Sequence, residues 1–142
     1  MSYIIVFDTE YTSWEGCLQN GWDANKNQHR EIIQISAIKY SLLTQKINSE
    51  LNIFIKPKIN PQLSDYIKEL TGISQDKIDS EGINFEEGLK TFISFLNGGK
   101  CYSYGNDLSV LKENIGLLNV DYDIEDEKFH DIRPMFEKYG VP

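Results

Sequence analysis

Asp8 and Glu10 are the residues of this 142-residue chain best placed to do chemistry. They end the stretch YIIVFDTE, whose first part, Tyr3 to Asp8, is an apolar run typical of a strand covered on both faces. Side chains on a strand alternate with period 2, so the two carboxylates project from the same face. Paired acids on a buried strand are costly unless something neutralises them. Carboxylates are hard oxygen donors that suit Mg²⁺ or Mn²⁺, and no imidazole or thiolate lies nearby. Solvation at the strand mouth, or pairing to Lys or Arg, is the competing explanation. A third acid, Asp107, follows Tyr102-Ser103-Tyr104-Gly105-Asn106 and opens an amphipathic pattern. In a helix's first turn an Asp is favourable with the dipole and needs no ligand role. Together with Asp8 and Glu10, it would supply a third carboxylate to one metal cluster. Asn106 beside it either caps the helix or bonds a phosphate or water.

The elements that must position these acids follow from hydrophobic spacing. Glu31–Tyr40 and Leu51–Ile55 are Ile-rich and read as two further strands in an antiparallel hairpin. Residues 11–30 form a long polar loop with Trp14 and Trp22, and loops of that length in compact domains are usually functional. From Gln62, the residues Leu63, Tyr66, Ile67 and Leu70 fall on one helical face, with Gly72 as the C-terminal cap. Phe85, Leu89, Phe92, Ile93 and Leu96 mark a second helix ended by Gly98-Gly99. Cys101–Tyr104 is a short strand, and Leu108, Leu111, Ile115 and Leu118 mark a third helix. Asp131 would cap a last short helix carrying Ile132, Met135, Phe136 and Tyr139. The order β-β-β-α-α-β-α-α implies an α/β domain, a mixed sheet with helices packed on it.

Length and composition narrow the function. The chain has the usual length of one domain, taken here as residues 1–142, and apolar residues make up 40% of it. No apolar run is long enough to span a membrane, and the start MSYIIVFDTE has no basic n-region or small-residue cleavage site, so a cytoplasmic protein is the default. Fourteen Lys+Arg against 22 Asp+Glu leave a net charge of −8, which does not suit a protein that coats nucleic acid. It is compatible with an enzyme that grips a few nucleotides through divalent cations, because the ions reverse the local field. Cys17 and Cys101 stand far apart with no metal-binding spacing and read as reduced thiols. The acidic run Asp121–Glu127 lacks the central glycine of a calcium loop and reads as a solvated surface. Lys56, Lys58 and Lys68 form a thin basic set near Pro57.

Taken as a set and in this order, FDTE, REIIQISAIKY, YIKELTGIS and SYGNDLSVLKEN resemble the DEDD family of 3′–5′ exonucleases over essentially the whole chain. The resemblance implies a ribonuclease H-like fold with a mixed, five-stranded-type sheet flanked by helices. It also implies two Mg²⁺ or Mn²⁺ ions, with Asp8 bridging both and Glu10 and Asp107 each helping to hold one. Residues just after the first motif touch the terminal nucleotide in that family, which here implicates Tyr11, Thr12 and the nearby Trp14. Aromatic faces would stack on the 3′ end of a single strand at about 1–3 kcal/mol per base. Trp22 reads instead as a pin for the loop.

One motif departs from the family. Its third motif is a His or Tyr followed four or five residues later by Asp, whereas His130 is followed at once by Asp131 and then by IRPMFEKYGVP, with no acid at the required offset. Residues 1–142 are therefore expected to stop short of the last catalytic helix. Activity is then expected to be weak unless a C-terminal segment or a second chain completes the site. Two other functions fit parts of the pattern. One is a catalytically incomplete nucleic-acid-binding or regulatory module. The other, prompted by DTEYT, is a haloacid dehalogenase-like phosphatase, which would need a later acidic metal motif that is missing and a helix where a hairpin is expected.

Overall fold

The computed structural model describes residues 2–140. The expected incomplete end at Val141-Pro142 lies outside the described residues. Five strands form one mixed sheet in the order β3-β2-β1-β4-β5: β1 (Tyr3–Tyr11), β2 (Ile32–Ser41), β3 (Lys46–Phe54), β4 (Cys101–Ser103) and β5 (Phe129–Asp131). β1, β2 and β3 are an antiparallel meander, and β4 and β5 add parallel to the other side of β1. This arrangement removes the phosphatase alternative, because the first strand returns through a paired strand rather than through a helix.

The helices are α1 (Cys17–Asn20), α2 (Asp65–Thr71), α3 (Gln75–Glu81), α4 (Phe85–Leu96), α5 (Asp107–Leu117) and α6 (Arg133–Lys138). α4 buries Phe85, Leu89, Phe92 and Leu96, as its spacing predicts, against Ile5, Phe7, Ile35, Ala37 and Ile53 of the sheet. Phe92 lies 5.2 Å from Phe7, and Phe129 meets Phe7 edge-on at 5.7 Å. Gly88 lets α4 approach this closely, since a Cβ there would sit 2.9 Å from Ile55 Cδ1. A smaller core joins Ile33, at the bulged start of β2, to Leu63, Ile67, Ile73 and Ile78 of the α2–α3 segment.

Several boundaries differ from expectation. β1 runs on through Tyr11, so Asp8 and Glu10 sit within the strand, and β3 begins at Lys46 rather than Leu51. α3 has no apolar stripe because only Ile78 is buried; Ser74, whose hydroxyl accepts the Lys77 N–H, starts it. Leu70 is exposed rather than on the buried face of α2. β5 is too short to show periodicity and forms because β4 offers it a parallel partner. Asp131 belongs to β5, and the residue that caps α6 is Ile132, with no side-chain cap.

The sheet has two unlike faces. Ile5, Phe7 and Thr9 point into the α4–α5 core. Val6, Asp8 and Glu10 point the other way, beside Ile38, Ser36 and Gln34 of β2 and, across from Val6, Tyr102 of β4. A shallow hollow of about 340 Å³ lies there, lined by Val6, Asp8, Ser36, Ile38, Glu50 and Asn52 among others.

Candidate active site

Ninety-eight residues separate Thr9 from Asp107, and the fold brings them into contact. Because β4 pairs parallel to β1, the turn after β4 delivers the start of α5 to the part of β1 that holds the acids. The Thr9 backbone N–H donates to Asp107 Oδ2 at 3.0 Å, and its hydroxyl is 3.3 Å from the same oxygen. Thr9 is the residue between Asp8 and Glu10, so this clamp sets the Asp107 carboxylate beside both. Asp107 is also the first residue of α5, where the helix dipole favours a carboxylate.

The electrostatics report the same proximity. Burial, then the neighbouring Asp8 carboxylate, push the Asp107 carboxyl up to about 6, although the two hydrogen bonds from Thr9 pull the other way. Burial raises the Glu10 carboxyl too, followed by the charges of Asp8 and Asp107. Among the described residues no three His, Cys, Asp or Glu side chains already close into a metal-binding group. Asp8, Glu10 and Asp107 stand near enough to raise one another's proton affinity at Glu10 and Asp107, but they do not close into such a group. An all-oxygen donor set fits a hard divalent cation, which would relieve the repulsion between these carboxylates.

The expected substrate contacts are placed less uniformly. Thr12 is 2% exposed, with its hydroxyl donating to the His29 carbonyl and accepting the Glu31 N–H. Its side chain anchors the loop and is not available to a nucleotide, which corrects the expected contact. Tyr11 projects opposite to Glu10, packing on the main core with its ring 5.8 Å from Trp22 and 5.7 Å from the Arg30 guanidinium. Trp22 pins that loop as expected, donating Nε1–H to the Thr12 carbonyl at 2.9 Å. Trp14 is half-buried and Asn106 exposed; the Asn106 side chain accepts the Ser109 N–H as the cap of α5.

Residues that hydrophobic patterning passes over also hold this end of the sheet. Asn114 is fully buried on α5, accepting the Ile32 N–H and donating to the Arg30 and Val110 carbonyls, so it ties α5 to the start of β2. Glu31 is 1% exposed, and its carboxylate accepts backbone N–H groups of Lys58, Ile59 and Asn60. A lone polar residue on an otherwise apolar stripe was the available signal for Asn114. Glu31 at the head of an Ile-rich strand was the corresponding signal there. His130 stacks on Tyr102 with ring centroids 5.2 Å apart.

Comparison with known proteins identifies the family and the fold. Residues 5–139 match the RNase_T family model, described as an exonuclease. The chain is 33% identical over 96 residues to the 3'-5' exonuclease eri1 of Schizosaccharomyces pombe, covering 68% of this chain and 30% of that protein. It is 40% identical over 95 residues to the 3'-5' exonuclease Snipper of Drosophila melanogaster, covering 67% and 32% respectively. The chain thus spans about a third of the length of these two curated relatives. Among solved structures, the nuclease domain of 3'hExo, a DEDDh family member bound to rAMP, superposes with a TM-score of 0.78 at 27% identity, covering 99% of this chain and 72% of the other. Exonuclease I shares the fold alone, with a TM-score of 0.71 at 15% identity, covering 97% and 30%. With the carboxylates of FDTE and of the α5 start in one cluster on a mixed five-stranded sheet, the chain belongs to the RNase_T exonucleases, DEDD-type 3′–5′ nucleases of ribonuclease H-like fold.

Proposed function

We propose that this domain removes nucleotides from the 3′ end of single-stranded nucleic acid, with Asp8, Glu10 and Asp107 holding a pair of Mg²⁺ or Mn²⁺ ions. Exonucleases of this kind generally use divalent metal ions. The observation that carries the reading is the Thr9 clamp, by which the residue between Asp8 and Glu10 holds the Asp107 carboxylate across 98 residues of sequence. When bound, such ions polarise the phosphoryl group and neutralise the leaving 3′ oxygen. The protein's own part is positioning: Thr9 directs Asp107, and β1 directs Asp8 and Glu10 from one face. Trp14 and Asn106 have enough exposure to meet the terminal nucleotide and its phosphate. Several relatives are named exoribonucleases, and a 3'-exonuclease of the same fold has been described in recognition of a histone mRNA stem-loop, which favours RNA as the first substrate to try.

The reading includes a completing element. The sheet face that bears Asp8 and Glu10 also carries half-exposed Val6, Ile38 and Tyr102, which a helix with the missing His-and-Asp motif would cover. The buried thiols Cys17 and Cys101 support a reducing, cytoplasmic setting.

The test is Mn²⁺-dependent digestion of 3′-labelled RNA and DNA oligonucleotides by this chain and by a longer form that supplies the completing helix. Asp8→Ala should lower the rate at least about 100-fold, and the longer form should be the faster. Equal rates for Asp8→Ala and the parent chain would overturn the site. Tight 3′-end binding with no hydrolysis in either form would favour the regulatory module instead.

A further inference from the structure

Asp131 was expected only to cap the last helix; the structure gives it a longer reach. It ends β5 in register with Ser103 of β4, and its Oδ1 accepts the N–H of Gly105 at 3.0 Å, across 26 residues of sequence. Gly105 is the bend of the turn that leads to Asp107, and its φ of +127° is a conformation that side chains rarely adopt. Both of its backbone polar groups are held: the N–H by Asp131, and the carbonyl by the Ser103 hydroxyl at 2.8 Å. The Ile132 N–H closes the same corner by donating to the Ser103 carbonyl at 2.9 Å. Asp131 is itself oriented. Arg133 donates its backbone N–H to Oδ1 at 2.9 Å and its Nη2 to Oδ2 at 2.9 Å, a charge-assisted pair. A Cβ on Gly105 would make only ordinary contacts, 3.4 Å from Asp107 Oδ1 and 4.0 Å from Arg133 Cζ, so the positive φ rather than crowding is what favours glycine here.

We propose that Asp131, oriented by Arg133, is a positioning residue for the acid cluster: by holding the Gly105 amide it sets the angle at which Asp107 enters. The inference rests on the proposed role of Asp107 as a metal ligand. Asp107 is then gripped from two directions, its Oδ2 by Thr9 on β1 and its backbone by β5 through Gly105. The last strand thereby gains a purpose beyond widening the sheet. It ties the carboxylate two residues beyond Gly105 to a strand that pairs with β4 and packs Phe129 edge-on against Phe7 of β1.

The test compares the parent chain with Asp131→Asn, which keeps an acceptor for the Gly105 N–H, with Asp131→Ala, which does not, and with Arg133→Gln, which removes only the clasp. Two quantities are read: Gly105 amide exchange by NMR, and Mn²⁺ affinity by calorimetry, with Asp8→Ala as the control for binding at the cluster. Asp131→Ala should speed Gly105 exchange and weaken Mn²⁺ binding about 10-fold or more, as loss of a partner that orients a metal ligand typically does. Asp131→Asn should restore most of both, and Arg133→Gln should fall between. Unchanged Gly105 exchange in Asp131→Ala would overturn the brace. Faster exchange with unchanged Mn²⁺ affinity would overturn its link to Asp107. If the parent chain binds Mn²⁺ no better than Asp8→Ala, the metal-site reading fails instead, and the exchange result still judges the brace.

Discussion

Asp107→Asn should make the protein more stable at neutral pH while removing the metal-binding role proposed for it. In the fold the Asp107 carboxyl is pushed up to about 6 from an ordinary value of 3.8. The folded protein therefore holds this proton more tightly than the unfolded chain, and ionising Asp107 costs stability. The cost is absent below about pH 4, grows as the pH rises, and is complete above about pH 6. A gap of about two pH units corresponds to about 3 kcal/mol. The carboxylate is partly exposed and water screens it, so about 1–2 kcal/mol is the expected share. An Asn side chain keeps an oxygen for the Thr9 N–H and turns an NH₂ toward Asp8, replacing repulsion with a hydrogen bond. Urea unfolding in EDTA should show the variant more stable by that amount at pH 8 and equal to the parent near pH 4. Millimolar Mn²⁺ should then stabilise the parent chain and leave the variant unmoved. A variant less stable than the parent at pH 8, or a difference independent of pH, would refute the electrostatic reasoning.

Two further outcomes follow from buried groups near the same end of the sheet. Glu31→Ala strips the partner from three backbone N–H groups and should cost roughly 3 kcal/mol or more, with Glu31→Gln costing about half; a loss under about 1 kcal/mol by urea titration would show that water replaces the carboxylate. Burial pushes the Cys101 thiol up to about 12, so at pH 8 an alkylating reagent should modify it only through unfolding, and mass spectrometry finding rapid labelling of the folded chain would contradict its placement in the core.

The helix α4 could be read from the sequence because its burial is regular: Phe85, Leu89, Phe92 and Leu96 recur at helical spacing and all enter one core. The acids of FDTE were legible for a similar reason, since strand alternation alone puts Asp8 and Glu10 on one face. α3 and β5 were not, because each is held by contacts with distant partners, Ile33 and Leu63 for Ile78 and β4 for Phe129–Asp131. Nor could the family resemblance that implicated Tyr11 and Thr12 show that the following loop folds back and occupies the Thr12 hydroxyl with His29 and sets the Tyr11 ring beside Trp22 and Arg30.

Local rules thus determined which residues could be ligands and which face of their own element each would take. Only the tertiary structure decided that Asp107 meets Asp8 and Glu10, since parallel pairing of β4 with β1 is a non-local event. The same is true of Asp131 and Thr9, whose hydrogen bonds span 26 and 98 residues. Periodicity reports neighbours three or four positions apart. A carboxylate cluster is assembled by the sheet.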